Sequence, residues 1–250
     1  MKLANLNGQP EIFYALQGEG PNRGKPCIFV RLSHCNLHCV WCDTDYTWNW
    51  DTTIFRHWND SDPTYRKYSE EQLVVEQTTR ELVERIVPIG CHYIDITGGE
   101  PFMQQDELVE LLVALRNLIP NCHVEIETNG TYKPSDEIDN LIHQYNVSPK
   151  LVSSGNNPSA AIKASTLSFF ASCDKAFFKF VITTPQDVSE VVQISNAYSI
   201  PKKRIYLVPV GADLDSMHAG QQWLPDLCLT HGFAYCDRLN IHLHGNKRGT

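Results

Sequence analysis

The chain has 250 residues, 42% of them hydrophobic, and a formal net charge of −8 at neutral pH. That length and apolar share suffice for one large domain or two small ones with a sizeable core, and the acidic balance disfavours passive adhesion to nucleic acid or anionic lipid. No apolar run is long enough to span a bilayer and the N-terminus turns polar too early for a signal peptide, so a cytoplasmic protein with no membrane or nucleic-acid partner is expected.

In chain order, apolar β-branched runs alternate with helical patterns. Strands are expected at 28–32, 93–97, 123–128, 176–182, 204–208 and 239–244, with a short one near Val147. A helix opens at Ser69, which pairs with Gln72 as a capping box, and carries Leu73, Val74, Leu82, Val83, Ile86 and Val87. Another follows Asp106, with Leu108, Val109, Leu111, Leu112, Leu115 and Leu118 on its inward face. Further helices fit 136–145, 186–198 and 217–229.

Strands separated by helices imply parallel βα units. About six of them make an α/β fold, a partial (β/α) barrel in a single domain over 1–250, with its chemistry at the C-terminal ends of the strands. Residues 43–68 break the pattern. They are rich in aromatic and charged side chains with no clean period, which reads as an active-site lid or an interface insertion.

Nine cysteines is an odd count. Cys35, Cys39 and Cys42 crowd behind the first expected strand with the spacing C-x3-C-x2-C, while the scattered others read as small buried hydrophobes. Without an export signal a disulfide framework is disfavoured. Thiolates suit iron–sulfur clusters and zinc. Three on one short loop hold three corners of a cubane and leave the fourth iron open to an external ligand. The competing zinc site takes His34 or His38 as its fourth donor. Downstream, Thr97-Gly98-Gly99-Glu100-Pro101 closes the second strand. Its glycines let the backbone approach a ligand or take positive φ, and Glu100 offers an acceptor.

The cysteine loop followed by G-G-E-P resembles the signature of the radical S-adenosylmethionine (SAM) superfamily. The resemblance implies a [4Fe-4S] cluster on Cys35, Cys39 and Cys42 with SAM on the open iron. One electron then cleaves SAM to a 5'-deoxyadenosyl radical that takes hydrogen from the substrate. Within the superfamily the chain is similar, over nearly its whole length, to the 7-carboxy-7-deazaguanine synthases. The similarity lies in Leu16-Gln17-Gly18-Glu19-Gly20, Cys42-Asp43-Thr44, Glu127-Thr128-Asn129-Gly130-Thr131 and Ser148-Pro149-Lys150, and in the tail from Arg238 to Thr250.

By this resemblance Leu16, Gln17, Gly18, Glu19, Arg31, Thr97, Glu127, Asn129 and Thr250 contact substrate, Arg31 through a carboxylate that a guanidinium suits. Trp41, Cys42, Asp43, Gly99, Glu100, Ser148, Pro149 and Lys150 contact SAM, and Thr44 ligates Mg2+, with Asp43 as a weaker candidate. The implied reaction is that of a carbon–nitrogen lyase. It converts 6-carboxy-5,6,7,8-tetrahydropterin to 7-carboxy-7-deazaguanine with release of ammonia, on the route to queuosine and related 7-deazapurines. An electron donor such as flavodoxin or ferredoxin and a homodimer are further expectations of the family. Lys179, inside an apolar run, either reaches the same cavity or snorkels to solvent. Trp48 and Trp50 are expected to stack on the flat pterin. Two rivals remain at this point: a glycyl-radical-enzyme activase of the same superfamily, and a zinc-stabilised binding module without catalysis.

Overall fold

The computed structural model describes residues 1–250. Its strands are β1 (Lys2–Leu6), β2 (Gln9–Pro10), β3 (Ile12–Leu16), β4 (Pro26–Leu32), β5 (Val74–Glu76), β6 (Tyr93–Gly98), β7 (His123–Thr128), β8 (Gln144–Val147), β9 (Ala176–Ile182), β10 (Ile205–Pro209) and β11 (Ala234–Tyr235). They form one sheet in the order β11-β10-β9-β8-β7-β6-β4-β1-β2, with β3 on β4 and β5 on β1. From β4 to β11 every neighbouring pair is parallel, and the pairs that β1, β2, β3 and β5 make are antiparallel. The two ends of the order do not pair, so the barrel stays open. The partial (β/α) barrel is borne out, with six longer parallel strands and the short β11 beside them.

Side chains alternate across a strand, and here the two faces differ in kind. Ile28, Val30, Leu32, Ile94, Ile96, Val124, Ile126, Val147, Phe178 and Phe180 belong to the main apolar core, together with Leu108, Leu111, Leu112 and Leu115 of the helix Gln105–Leu118. The alternate positions, Arg31, Thr97, Glu127, Ser148 and Lys179, line a single cavity. Burial of the first set fixes the register, and the register presents the second set to that cavity.

Four expected elements differ. The helix expected from Ser69 splits. Glu70–Leu73 is a single turn, and β-branched Val74 and Val75 then extend and pair with β1. The capping box sits at Thr78 and Glu81, opening Thr79–Ile86, and Ser69 makes no side-chain cap. The helix expected at 136–145 ends at Leu141, and the chain goes straight into β8. The segment expected at 217–229 is two helices, Leu214–Gln221 and Leu224–His231, the second with a proline in its first turn. The strand expected at 239–244 is a helix, Leu239–His244. Its alternating Leu239, Ile241 and Leu243 suggested period two, but Ile241 is buried while Leu243 is exposed.

The N-terminal antiparallel strands were not expected, although a signal was there. Asn7-Gly8 takes positive φ at both residues and joins β1 to β2 as a two-residue hairpin.

Candidate active site

The cysteine loop leaves β4 and meets the end of β6. Glu100 N–H donates to the His34 carbonyl at 2.8 Å, and Gly99 N–H donates to the Leu32 carbonyl at 3.1 Å. A Cβ on Gly99 would lie 1.8 Å from the His34 carbonyl oxygen, and one on Gly98, where φ is +130°, 2.1 Å from that of Leu32. The paired glycines therefore let β6 close against the chain's own cysteine loop. Gly99 also lines the cavity.

Cys35, Cys39 and Cys42 line the cavity and are free thiols. Burial pushes all three thiols up, Cys42 to about 12. Thiols that resist ionisation at neutral pH make poor nucleophiles, and they lose their protons when a metal centre takes them as ligands. Polar side chains reach each sulfur: Asn129 Nδ2 at 3.8 Å from Cys35, Asn156 Nδ2 at 3.2 Å from Cys39, and Thr44 Oγ1 at 3.5 Å from Cys42, which the Trp48 indole also faces. No three His, Cys, Asp or Glu side chains converge tightly enough to hold one ion. Three cysteines of one loop that line one cavity suit a polyatomic cluster. His34, the first expected fourth ligand for zinc, lies 3.2 Å from Glu70 and edge-on to Trp50, and His38 stacks on Phe55 at 3.6 Å. The donor set fits a three-cysteine cluster.

Most of the other expected residues meet in the same cavity. Leu16, Gln17, Gly18, Glu19, Arg31, Trp41, Asp43, Thr44, Thr97, Glu127, Asn129, Ser148, Lys150 and Thr250 all line it, whereas Glu100 and Pro149 do not. Glu100 is wholly buried. It accepts from Thr128 Oγ1 and from the backbone N–H groups of Phe102 and Asn129, tying the ends of β6 and β7 together. Burial raises its carboxyl to about 7 against those hydrogen bonds. Gln17 turns its amide toward the barrel floor, where it donates to Asp95 and Glu125 at 2.7 Å each.

Arg31 donates through Nε to Glu11 at 3.2 Å, and its terminal nitrogens have no protein acceptor. That leaves the two-pronged end of the guanidinium for an incoming carboxylate. Asp43 pairs with Arg238, which occupies the carboxylate that was the weaker Mg2+ candidate. Lys179 does not snorkel. Its Nζ sits 2.5 Å from Glu19 and 3.5 Å from Glu127, and Glu127 accepts from Thr97 Oγ1 at 3.1 Å. With the Arg238 Nε–Glu19 pair at 2.7 Å, the wall runs Asp43, Arg238, Glu19, Lys179, Glu127 in alternating sign.

Arg238 and Glu11 were not singled out from the sequence. Glu11, almost wholly buried, pairs with both Arg31 and Arg248, and Arg248 also lies over the Tyr46 ring at 3.6 Å. The segment 43–68 packs on the cysteine loop: His57 Nε2 lies 2.9 Å from the Cys42 carbonyl, and Trp58 N–H donates to that of Val40. Trp48 lines the cavity, and Trp50 does not. Trp48→Ala is therefore expected to raise KM for a flat substrate about tenfold, the ~1.4 kcal/mol of one aromatic stack. Trp50→Ala should leave KM within twofold. Steady-state kinetics of both variants decides this, and equal effects would refute the assignment.

Comparison with known proteins places these features. The family model described as the radical SAM superfamily matches residues 30–158. A 7-carboxy-7-deazaguanine synthase from Pyrobaculum aerophilum is 36% identical over 240 residues, covering 96% of this chain and 95% of that protein. One from Rhodopirellula baltica is 30% identical, covering 96% and 87%. Among solved structures, QueE from Escherichia coli superposes with a TM-score of 0.63 at 21% identity, over 95% of this chain and 94% of that one. SuiB from Streptococcus suis gives 0.51 at 14%, over 84% and 48%. At those identities the structural likenesses speak for the fold.

Proposed function

The chain belongs to the radical SAM superfamily and, within it, to the 7-carboxy-7-deazaguanine synthase family, and we infer that its cavity converts 6-carboxy-5,6,7,8-tetrahydropterin to 7-carboxy-7-deazaguanine with loss of ammonia. Membership makes it a radical SAM lyase that uses a [4Fe-4S] cluster, SAM and Mg2+ on a small-molecule substrate and draws on a reductant. When bound, the reduced cluster and SAM supply a nucleoside radical that opens a C–H bond of the substrate. The observation that carries the reading is the meeting of three cysteine thiols, Arg31, Thr44 and the Thr97–Glu127 pair in one cavity at the C-terminal ends of β4, β6 and β7.

In this reading the residues divide the work by position. The cysteines hold the cluster, and Trp41, Gly99, Ser148 and Lys150 border the SAM beside it. Lys150 lies over the Trp41 ring at 5.6 Å and donates to Ser148 Oγ at 2.8 Å, so these residues act as one wall. Arg31 takes the substrate carboxylate. Glu127 and Thr97 face the ring, and Thr44 gives one oxygen to Mg2+, which accepts a site completed by substrate and water. Trp48, at the inner edge of the segment 43–68, covers the pterin, and the segment serves as a fixed cover over the cysteine loop within a single-domain protein.

No helix is long and apolar enough to cross a membrane. A cytoplasmic homodimer fed by flavodoxin or ferredoxin completes the proposal. An anaerobic assay with reductant, SAM and the carboxytetrahydropterin is expected to yield the deazapurine, faster with Mg2+ than without. Thr44→Ala is expected to keep wild-type iron and sulfide content while weakening the response to Mg2+. No product from cluster-loaded wild-type protein would overturn the function, and an unchanged Mg2+ response in Thr44→Ala would overturn the metal site.

A further inference from the structure

Outside every motif of the sequence, the turn that follows β8 grips the cysteine loop at four points. Val40 N–H donates to the Ser154 carbonyl at 2.9 Å and Trp41 Nε1 to that of Ser153 at 3.1 Å. Asn156 makes the other two. Its Oδ1 accepts from the His38 backbone N–H at 2.8 Å, and its Nδ2 lies 3.2 Å from Cys39 Sγ and 3.0 Å from Ser154 Oγ. The orientation of this amide is settled by its partners. Turned over, it would set an NH2 group against the His38 N–H, donor to donor. The sulfur therefore faces an N–H.

We propose that Asn156 is a positioning residue for the cluster, whose side-chain N–H donates to the Cys39 sulfur and sets the ease with which the cluster takes up an electron. The proposal rests on the reading of Cys35, Cys39 and Cys42 as cluster ligands. A hydrogen bond to a ligating sulfur stabilises negative charge there, and reduction adds negative charge to the cluster. Donors to the sulfurs are one of the protein's controls over the potential of an iron–sulfur centre. Of the amide and hydroxyl groups beside the three sulfurs, Asn156 Nδ2 is the closest, at 3.2 Å against 3.8 Å for Asn129 and 3.5 Å for the Thr44 hydroxyl, which can act in either direction. Both sides of its amide are in use on the loop, so it locates the Cys39 segment and donates to its sulfur with one group.

Two substitutions separate these duties. Asn156→Asp keeps the acceptor for His38 N–H and replaces the donor by a carboxylate, while Asn156→Ala removes both. The anaerobically reconstituted full-length proteins are titrated with reductant and followed by visible absorbance and by the EPR signal of the reduced cluster. The expected result is a midpoint more negative than wild type in both variants, furthest in Asn156→Asp, at unchanged iron and sulfide content for Asn156→Asp. Cluster-loaded variants that both titrate at the wild-type midpoint would overturn the proposal. Should neither variant hold a cluster, pulsed EPR decides on the Asn129→Asp protein labelled with 15N only in its asparagine side-chain amides, that of Asn36 donating to Thr131 instead. A 15N coupling to the reduced cluster supports the bond from Asn156, and no coupling overturns it. A wild-type protein that takes up no iron or sulfide is a different result and refutes the reading of the cysteines themselves.

Discussion

Cys39→Ala, and equally Cys35→Ala or Cys42→Ala, is expected to give a folded, colourless protein with no detectable turnover. The three sulfurs converge from one loop on one cavity, so removing any of them leaves a cubane with two protein ligands. No other cysteine lines the cavity: Cys236 is buried behind its wall, accepting from Gly20 N–H at 3.1 Å, Cys27 stands opposite Ala15 in the β3–β4 ladder and Cys91 near the Pro26 carbonyl. Cys39 is a buried side chain differing from alanine by one sulfur atom, so the fold should lose only about 1 kcal/mol, at the low end for a large-to-small change. Iron and sulfide analysis beside a thermal melt makes the measurement: a native melt, little iron, no product. Wild-type turnover in any of the three variants would refute the cluster assignment. So would stoichiometric zinc in wild-type protein kept anaerobic, because the same three sulfurs cannot ligate both a zinc ion and a cubane.

Much of this site was legible in the sequence because its parts are local. The cysteine loop, Gly98-Gly99, Glu127 to Thr131 and Ser148 to Lys150 each stand at the end of a parallel strand, and each strand announces itself by an apolar run. Once the runs are read as βα units, the strand ends must gather. What stayed hidden depends on distant pairing. Arg238 joins Glu19 across 219 positions of sequence, and no local pattern marks a cation whose partners lie in two other loops. Glu11 is hidden for the same reason, its arginines being 20 and 237 positions away. Glu100 shows the converse. Its motif was legible, but whether its carboxylate faces the cavity or caps Phe102 depends on how β6 meets β7. The segment 239–244 misled because six residues of alternating apolarity fit a strand edge and a short helix equally well.

Glu19→Gln is expected to cost about 3 kcal/mol of stability at neutral pH, near the lower end for breaking a buried ion pair. Glu19 receives Lys179 on one oxygen and Arg238 on the other, with all three side chains less than 15% exposed. An amide in its place neutralises neither cation and turns an NH2 group toward one of them. Asp43 and Glu127 still partner Arg238 and Lys179, and for that reason the lower end is the right one. The pH dependence gives an independent check. Burial alone would raise the Glu19 carboxyl, but Lys179 and Arg238 hold it at about 2 against an ordinary 4.5. A carboxyl held down in the folded state contributes its full stabilisation above about pH 4.5 and loses it as pH falls toward about 2, and the size, at 1.36 kcal/mol per pH unit of displacement, is again about 3 kcal/mol. Urea unfolding of wild type and Glu19→Gln across that range should show a gap that is widest at neutral pH and narrows steadily below 4.5. A gap that stays constant from pH 7 to the acid limit would mean that the variant acts through packing alone. Because Lys179 and Arg238 also stand in the wall that faces the substrate, the same substitution should release their charge toward the cavity and tighten binding of anionic inhibitors, with the tightening reduced when Arg238→Met is added and abolished when Lys179→Met is added as well.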